Sequence, residues 1–116
     1  MSEQNTQSTL ISAAMEIILH AGDARNHAKL ARQAMREMNF TQAGQYLEEA
    51  KKEIAEAHRA QTEIIQNEAR GIQYDYSMLF NHAQDTLMTI NSEIELTADL
   101  ILTFEVVMQK LTEKEG

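Results

Sequence analysis

Apolar side chains recur along this chain at steps of three and four, the spacing that keeps them on one face of an α-helix. The first series is Leu10, Ala14, Ile17, Ile18, Ala21, Ala24, Ala28, Ala31, Met35 and Met38. It predicts a helix from about Thr9 to Met38. Gly22 interrupts it at about 1 kcal/mol relative to alanine, which close helix packing would explain. Asn39-Phe40-Thr41 reads as a tight connection. Ala43, Leu47, Ala50, Ile54, Ala57, Gln61 and Ile65 then predict a second helix over about 41–66, with Thr41 as N-cap. Its outer face carries Glu48 and Glu49 at helical spacing from Lys52, an ordinary solvated arrangement. Asn67 to Tyr74 reads as the next connection, with Gly71 as C-cap or turn residue. A third helix follows over about 75–111. The polar residues 1–8 and the charged tail 112–116 read as frayed ends.

Two short connections between long helices imply antiparallel neighbours. The expected fold is all-α, an antiparallel up-down-up three-helix bundle forming a single domain over residues 1–116. The chain has no proline and four glycines, which suits long helices and not the frequent turns of a β protein. At 116 residues, two halves would each be too small to bury a core.

The third helix carries two apolar stripes. Leu79, Ala83, Leu87, Ile90, Ile94, Ala98, Ile101 and Met108 fall together on the helical wheel and should face the other two helices. Met78, His82, Asp85, Thr89, Leu96, Leu100, Thr103 and Val107 form a second stripe roughly 130° away. A lone bundle leaves that stripe uncovered, and closed self-association is the simplest way to cover it. Asp85 in such an interface is costly unless paired or metal-bound. A hard cation shared by several copies is one resolution, and a solvated or hydrogen-bonded carboxylate is the other.

Charge and composition narrow the chemistry. The formal charge is −8, from 18 acidic and 10 basic residues, which disfavours nucleic-acid or anionic-membrane binding. With no cysteine, there is no disulfide, thiolate zinc site or thiol nucleophile. No segment reaches the ~18 apolar residues of a membrane span, and the polar N-terminus does not read as a secretory signal. A cytoplasmic protein is expected.

The reactive candidates are the four histidines. His20 and His27, seven apart on the first helix, share a face, but no carboxylates complete a metal motif around them. His58 reads first as a structural histidine at the core edge. His82 lies on the second stripe, one turn before Asp85. A neutral imidazole nitrogen can attack phosphorus and later leave, so His82 is a candidate phosphoryl acceptor. Helical placement alone leaves an inert surface histidine as the ordinary alternative.

The words around His82 change that balance. Asn81-His82-Ala83-Gln84-Asp85-Thr86-Leu87-Met88-Thr89 resembles the active-site signature of the IIA components of the lactose/cellobiose (N,N'-diacetylchitobiose) class of the bacterial phosphotransferase system. Ala21-Gly22-Asp23-Ala24-Arg25, Phe40 with Ala43, and Ala57-His58-Arg59-Ala60-Gln61-Thr62 resemble further segments of that family, so the likeness spans roughly residues 10–111. The resemblance implies a homotrimer of three-helix bundles in a bacterial cytoplasm. It implies that His82 accepts phosphate from the histidine-containing phosphocarrier protein and passes it to a cysteine of the cognate IIB component. The membrane IIC component is then engaged only indirectly, during uptake of a β-linked disaccharide such as cellobiose, chitobiose or lactose. It implies that Asp85 from each of three subunits binds one divalent cation at the trimer axis, magnesium by donor chemistry, and that Gln84 is a support residue able to reach a site across a subunit boundary. His58 and Gln61 match a family segment without an implied phosphoryl role. Thr86 departs from relatives, which often carry a larger histidine or tyrosine there. The competing readings are a helical binding module that uses the second face of the third helix without chemistry, and a regulatory paralogue that is phosphorylated but signals to a regulator.

Overall fold

The computed structural model describes residues 3–115. It holds three helices, α1 (Glu3–Arg36), α2 (Phe40–Ala69) and α3 (Met78–Glu115), and no strand among the described residues. The molecule is a rod of 69 × 21 × 18 Å.

Every helix boundary departs from the sequence expectation, and most departures have a local cause. α1 begins at Glu3, so residues 3–8 are helical where fraying was expected. Polar residues add to an existing helix at little cost once it is nucleated. At its other end α1 stops at Arg36. Met38 takes the left-handed conformation, with φ 65°. Its N–H donates to the Met35 carbonyl at 2.9 Å, and the Asn39 N–H donates to the Ala34 carbonyl at 2.9 Å. That pair of bonds closes a helix C-terminus in the manner usually built on glycine. Met38 is therefore outside the helix and exposed. Asn39, not Thr41, caps α2: its Oδ1 accepts from the Gln42 N–H at 3.1 Å.

The second connection uses the same device with the expected residue. Gly71 has φ 99°, its N–H donates to the Glu68 carbonyl, and the Ile72 N–H donates to the Asn67 carbonyl, both at 3.0 Å. α3 then starts three residues later than expected. Ser77 is its cap, its Oγ accepting from the Phe80 N–H at 3.1 Å. At the far end α3 continues through residues 112–115, where a loose tail was expected; residues 1, 2 and 116 lie outside the described residues.

The core is lined on α1 and α2 by alanine. Ala14, Ala21, Ala24, Ala28 and Ala31 face Ala43, Ala50 and Ala57, all fully buried. Small side chains let helix axes approach closely. Larger side chains fill the rest: Ile17 of α1, Ile54 and Ile64 of α2, and Leu87, Ile90, Ile94 and Ile101 of α3 are buried. Two core positions shift by one residue from expectation. Ile64 is buried and Ile65 exposed; Phe80 is buried and Leu79 exposed. Thr97 is the one polar residue among the buried positions described, 1% exposed. Its hydroxyl donates to the Glu93 carbonyl at 2.8 Å and accepts from Arg32 Nη1 at 2.7 Å. That satisfies a group whose unpaired burial would destabilise the fold.

Gly22 has no packing explanation within the chain. A Cβ built there meets nothing within 4 Å.

Candidate functional site

The buried positions of α3 determine what faces outward. Ala83, Leu87 and Ile90 are held in the core, so His82 and Asp85 turn away from it. Both are exposed. They sit three residues apart, neighbours on one helical face. Neither side chain makes a hydrogen bond or ion pair to any described residue.

The four histidines differ in this respect. His20 Nδ1 lies 2.8 Å from Glu53 Oε2 on α2, a carboxylate partner that sequence spacing could not reveal. His27 Nδ1 lies 3.0 Å from the Asp23 carbonyl. Each has its own partner, so they do not form a metal pair. His58 is half-buried with no hydrogen-bond partner. Only His82 combines exposure with a ring free at both nitrogens. Thr86, one turn on, donates its hydroxyl to the His82 carbonyl at 2.8 Å. Its proton is thereby committed to the backbone of the helix that carries the imidazole.

Gln84 does not join His82 within the chain. It is half-buried on the side of α3 facing α2, where its Oε1 accepts from Gln61 Nε2 at 3.0 Å. No other bond engages its amide. On α3's opposite flank, Arg25 of α1 makes a two-bond pair with Glu93. Nε donates to Oε2 and Nη2 to Oε1, both at 2.9 Å. The hydrogen bond to Glu93 raises the guanidinium pKa above its ordinary value, with the charge attraction adding and partial burial opposing. Sequence reasoning missed both cross-helix pairs.

Other apolar members of the second stripe are exposed as well, though Leu100 is half-buried. Met78 is 75% exposed, Leu96 61% and Val107 45%. Ile11, Met15 and Leu19 are exposed on α1 and, with Gly22, lie at helical spacing along one face. The described residues of one chain hold no cluster of three metal-ligating side chains. Asp85 alone is a single oxygen-donor group.

The model of the family described as PTS system, lactose/cellobiose-specific IIA subunit, matches residues 12–105. The chain belongs to that family. Its similarity to the lichenan-specific phosphotransferase enzyme IIA component of Bacillus subtilis is 38% identity, over 87% of this chain and 88% of the relative. The lactose-specific EIIA component of Lacticaseibacillus casei is 33% identical, over 90% and 93%. The crystal structure of the cellobiose-specific enzyme IIA from Bacillus anthracis superposes with a TM-score of 0.80 at 37% identity, covering 85% of this chain and 91% of that one. As a IIA subunit, the protein is a phosphotransferase-system component and a phosphoryl carrier in sugar transport that interacts with other components of that system. No helix among the described residues of this IIA chain is long and apolar enough to cross a membrane.

Proposed function

We propose that His82 is the phosphoryl-carrying residue and that its exposed, unbonded imidazole is the single observation that carries the assignment. A ring nitrogen attacks the phosphorus of a phosphohistidine on the histidine-containing phosphocarrier protein. The new N–P bond forms as the donor's N–P bond breaks, and the donor imidazole leaves. In the second step a thiolate of the cognate IIB component attacks the same phosphorus, and the N–P bond at His82 breaks. The membrane IIC component is engaged only through IIB. This chain's contribution is position: the ring stands on a rigid helix face with no local bond to break before an in-line approach. The relay would run in the bacterial cytoplasm during uptake of a β-linked disaccharide. The relatives' names include lichenan, lactose and cellobiose, so the sugar itself is not part of the proposal.

The chain is proposed to fold up-down-up and to assemble as a homotrimer through the outer stripe of α3. Supporting the first, the Met38–Asn39 reversal is tight, and α1 contacts advance along α3 in the same sense, from Arg25–Glu93 to Arg32–Thr97. Supporting the second, the stripe leaves Met78, Leu96 and Val107 exposed along the helix, apolar surface that a second copy would cover. With Asp85 near a three-fold axis, three exposed and unpaired carboxylates would hold a divalent cation. Their all-oxygen donor set favours magnesium, and the ion would neutralise like charge at the axis.

The test is phosphorylation of the full chain from labelled phosphoenolpyruvate with the upstream relay proteins. His82→Ala should lose the label entirely, while His58→Ala and His27→Ala keep it. An equally labelled His82→Ala would remove the residue from the role. It would favour the other reading of the exposed stripe, a non-catalytic binding or regulatory module.

A further inference from the structure

Gln61, on α2, has no place in the chemistry just described, yet among the described residues it makes the only side-chain hydrogen bond that reaches the His82 segment from another helix. Its Nε2 donates to Gln84 Oε1 at 3.0 Å, in a half-buried setting. An amide has one acceptor end and one donor end. With the oxygen of Gln84 held by Gln61, its NH2 is the end left free, and no group among the described residues accepts from it.

That free end cannot serve the imidazole on its own helix. At about 100° per residue, His82 and Gln84 lie on opposite flanks of Asp85, about 60° to one side and 100° to the other. In a closed ring of three α3 helices with Asp85 inward, one flank of each helix meets the opposite flank of the next. Gln84 of one copy then faces His82 of its neighbour.

We propose that Gln61 is a positioning residue: by holding the oxygen of Gln84, it presents the Gln84 NH2 as a hydrogen-bond donor to the phosphoryl group on His82 of an adjacent copy. This rests on the trimeric phosphocarrier reading. A donor aimed at developing or settled anionic charge must be oriented beforehand to be effective. A neutral amide free to rotate would present its oxygen as readily as its nitrogen, and an oxygen repels phosphate.

The opposite substitution pair makes the test. Gln61→Leu removes the hold and leaves the Gln84 amide free to turn. Gln61→Glu reverses the hold, since a carboxylate only accepts and draws the Gln84 NH2 toward itself. The measurements are the phosphoryl-transfer rate to His82 and the lifetime of the resulting phosphohistidine, on the full-length chain, with light scattering and circular dichroism as controls. We expect Gln61→Glu to lower the transfer rate about tenfold, in keeping with one hydrogen bond to a charged group. Gln61→Leu should lower it less, and both should leave helix content and trimer mass unchanged. In a Gln84→Ala background neither should have further effect. A purely structural Gln61 would not rank Glu below Leu, nor lose its effect when Gln84 is gone. Wild-type rates in both variants, or equal losses that persist without Gln84, overturn the positioning role. A wild-type chain that takes no label, or that is monomeric, overturns the reading beneath it instead.

Discussion

The two faces of α3 are built from similar residues and meet opposite fates. On the inner face Leu87, Ile90, Ile94 and Ile101 are buried against α1 and α2. On the outer face Met78, Leu96 and Val107 are bare, and His82 and Asp85 stand among them. Hydrophobicity alone therefore does not say where a side chain ends up; the available partner does. The inner face is satisfied by the chain itself. Among the described residues nothing covers the outer face, and the imidazole proposed to carry phosphate lies there.

Leucine truncation on each face should separate these roles most sharply. Leu87→Ala empties a fully enclosed position and should destabilise the fold by about 2–5 kcal/mol, read as a lowered denaturation midpoint. Leu96→Ala should change the folding of an isolated chain by no more than about 0.5 kcal/mol but weaken assembly, seen as a concentration-dependent loss of trimer mass. Equal losses of chain stability at the two positions would erase the distinction between the faces.

Asp85 sharpens it further. At the proposed three-fold axis, replacing the carboxylate with leucine would remove repulsion and add apolar contact. Asp85→Leu should therefore keep or strengthen the trimer, by about 1–4 kcal/mol if it follows other buried charges, and should abolish any effect of chelator or magnesium on assembly. Dissociation of the variant into monomers would place Asp85 away from the axis.

The smallest effect concerns two glycines. Gly22 and Gly44 both lie within helices, and a Cβ at either meets nothing within 4 Å. In a lone chain each change to alanine should raise stability by about 1 kcal/mol. Gly22 shares its face with the exposed Ile11, Met15 and Leu19. If a neighbouring copy packs there, Gly22→Ala will weaken assembly while Gly44→Ala will not. Identical behaviour of the two would leave that face of α1 uncovered.

Much of this was legible in the sequence, for physical reasons that also mark where legibility stopped. The helical period is repeated over many turns, so three helices and most of their core positions could be read. The outer stripe of α3 could be read for the same reason. Turn geometry depends on one or two residues, and there the reading slipped. Met38 occupies a left-handed position where glycine is the expected signal, and Asn39 and Ser77 cap helices that were assigned other starts. Ser77 was recoverable, since a serine three residues before a buried position is an N-cap pattern. Leu79 and Phe80 exchanged fates in the first turn of α3, where the wheel placed Leu79 on the inner face. Glu53, Gln61, Glu93 and Arg32 could not be assigned their partners at all. Those bonds join residues 23 to 68 positions apart, and periodicity carries no information across helices. His82 was chosen by its neighbours in sequence, while its freedom from local bonds became visible only beside the engaged His20 and His27.

The paired clasps between α1 and α3 have a consequence for encounter. Arg25–Glu93 and Arg32–Thr97 grip the two helices at separate heights. A slip of one helix past the other by a single turn, about 5.4 Å, would break both together. The imidazole is thus pinned at a fixed height on a stiff rod, and an incoming partner finds its target by orientation alone, without waiting for the scaffold to rearrange. In the proposed relay, where one protein loads the carrier and another unloads it, the pace is then governed by collision and alignment, and the two visitors can be matched to one unmoving landmark.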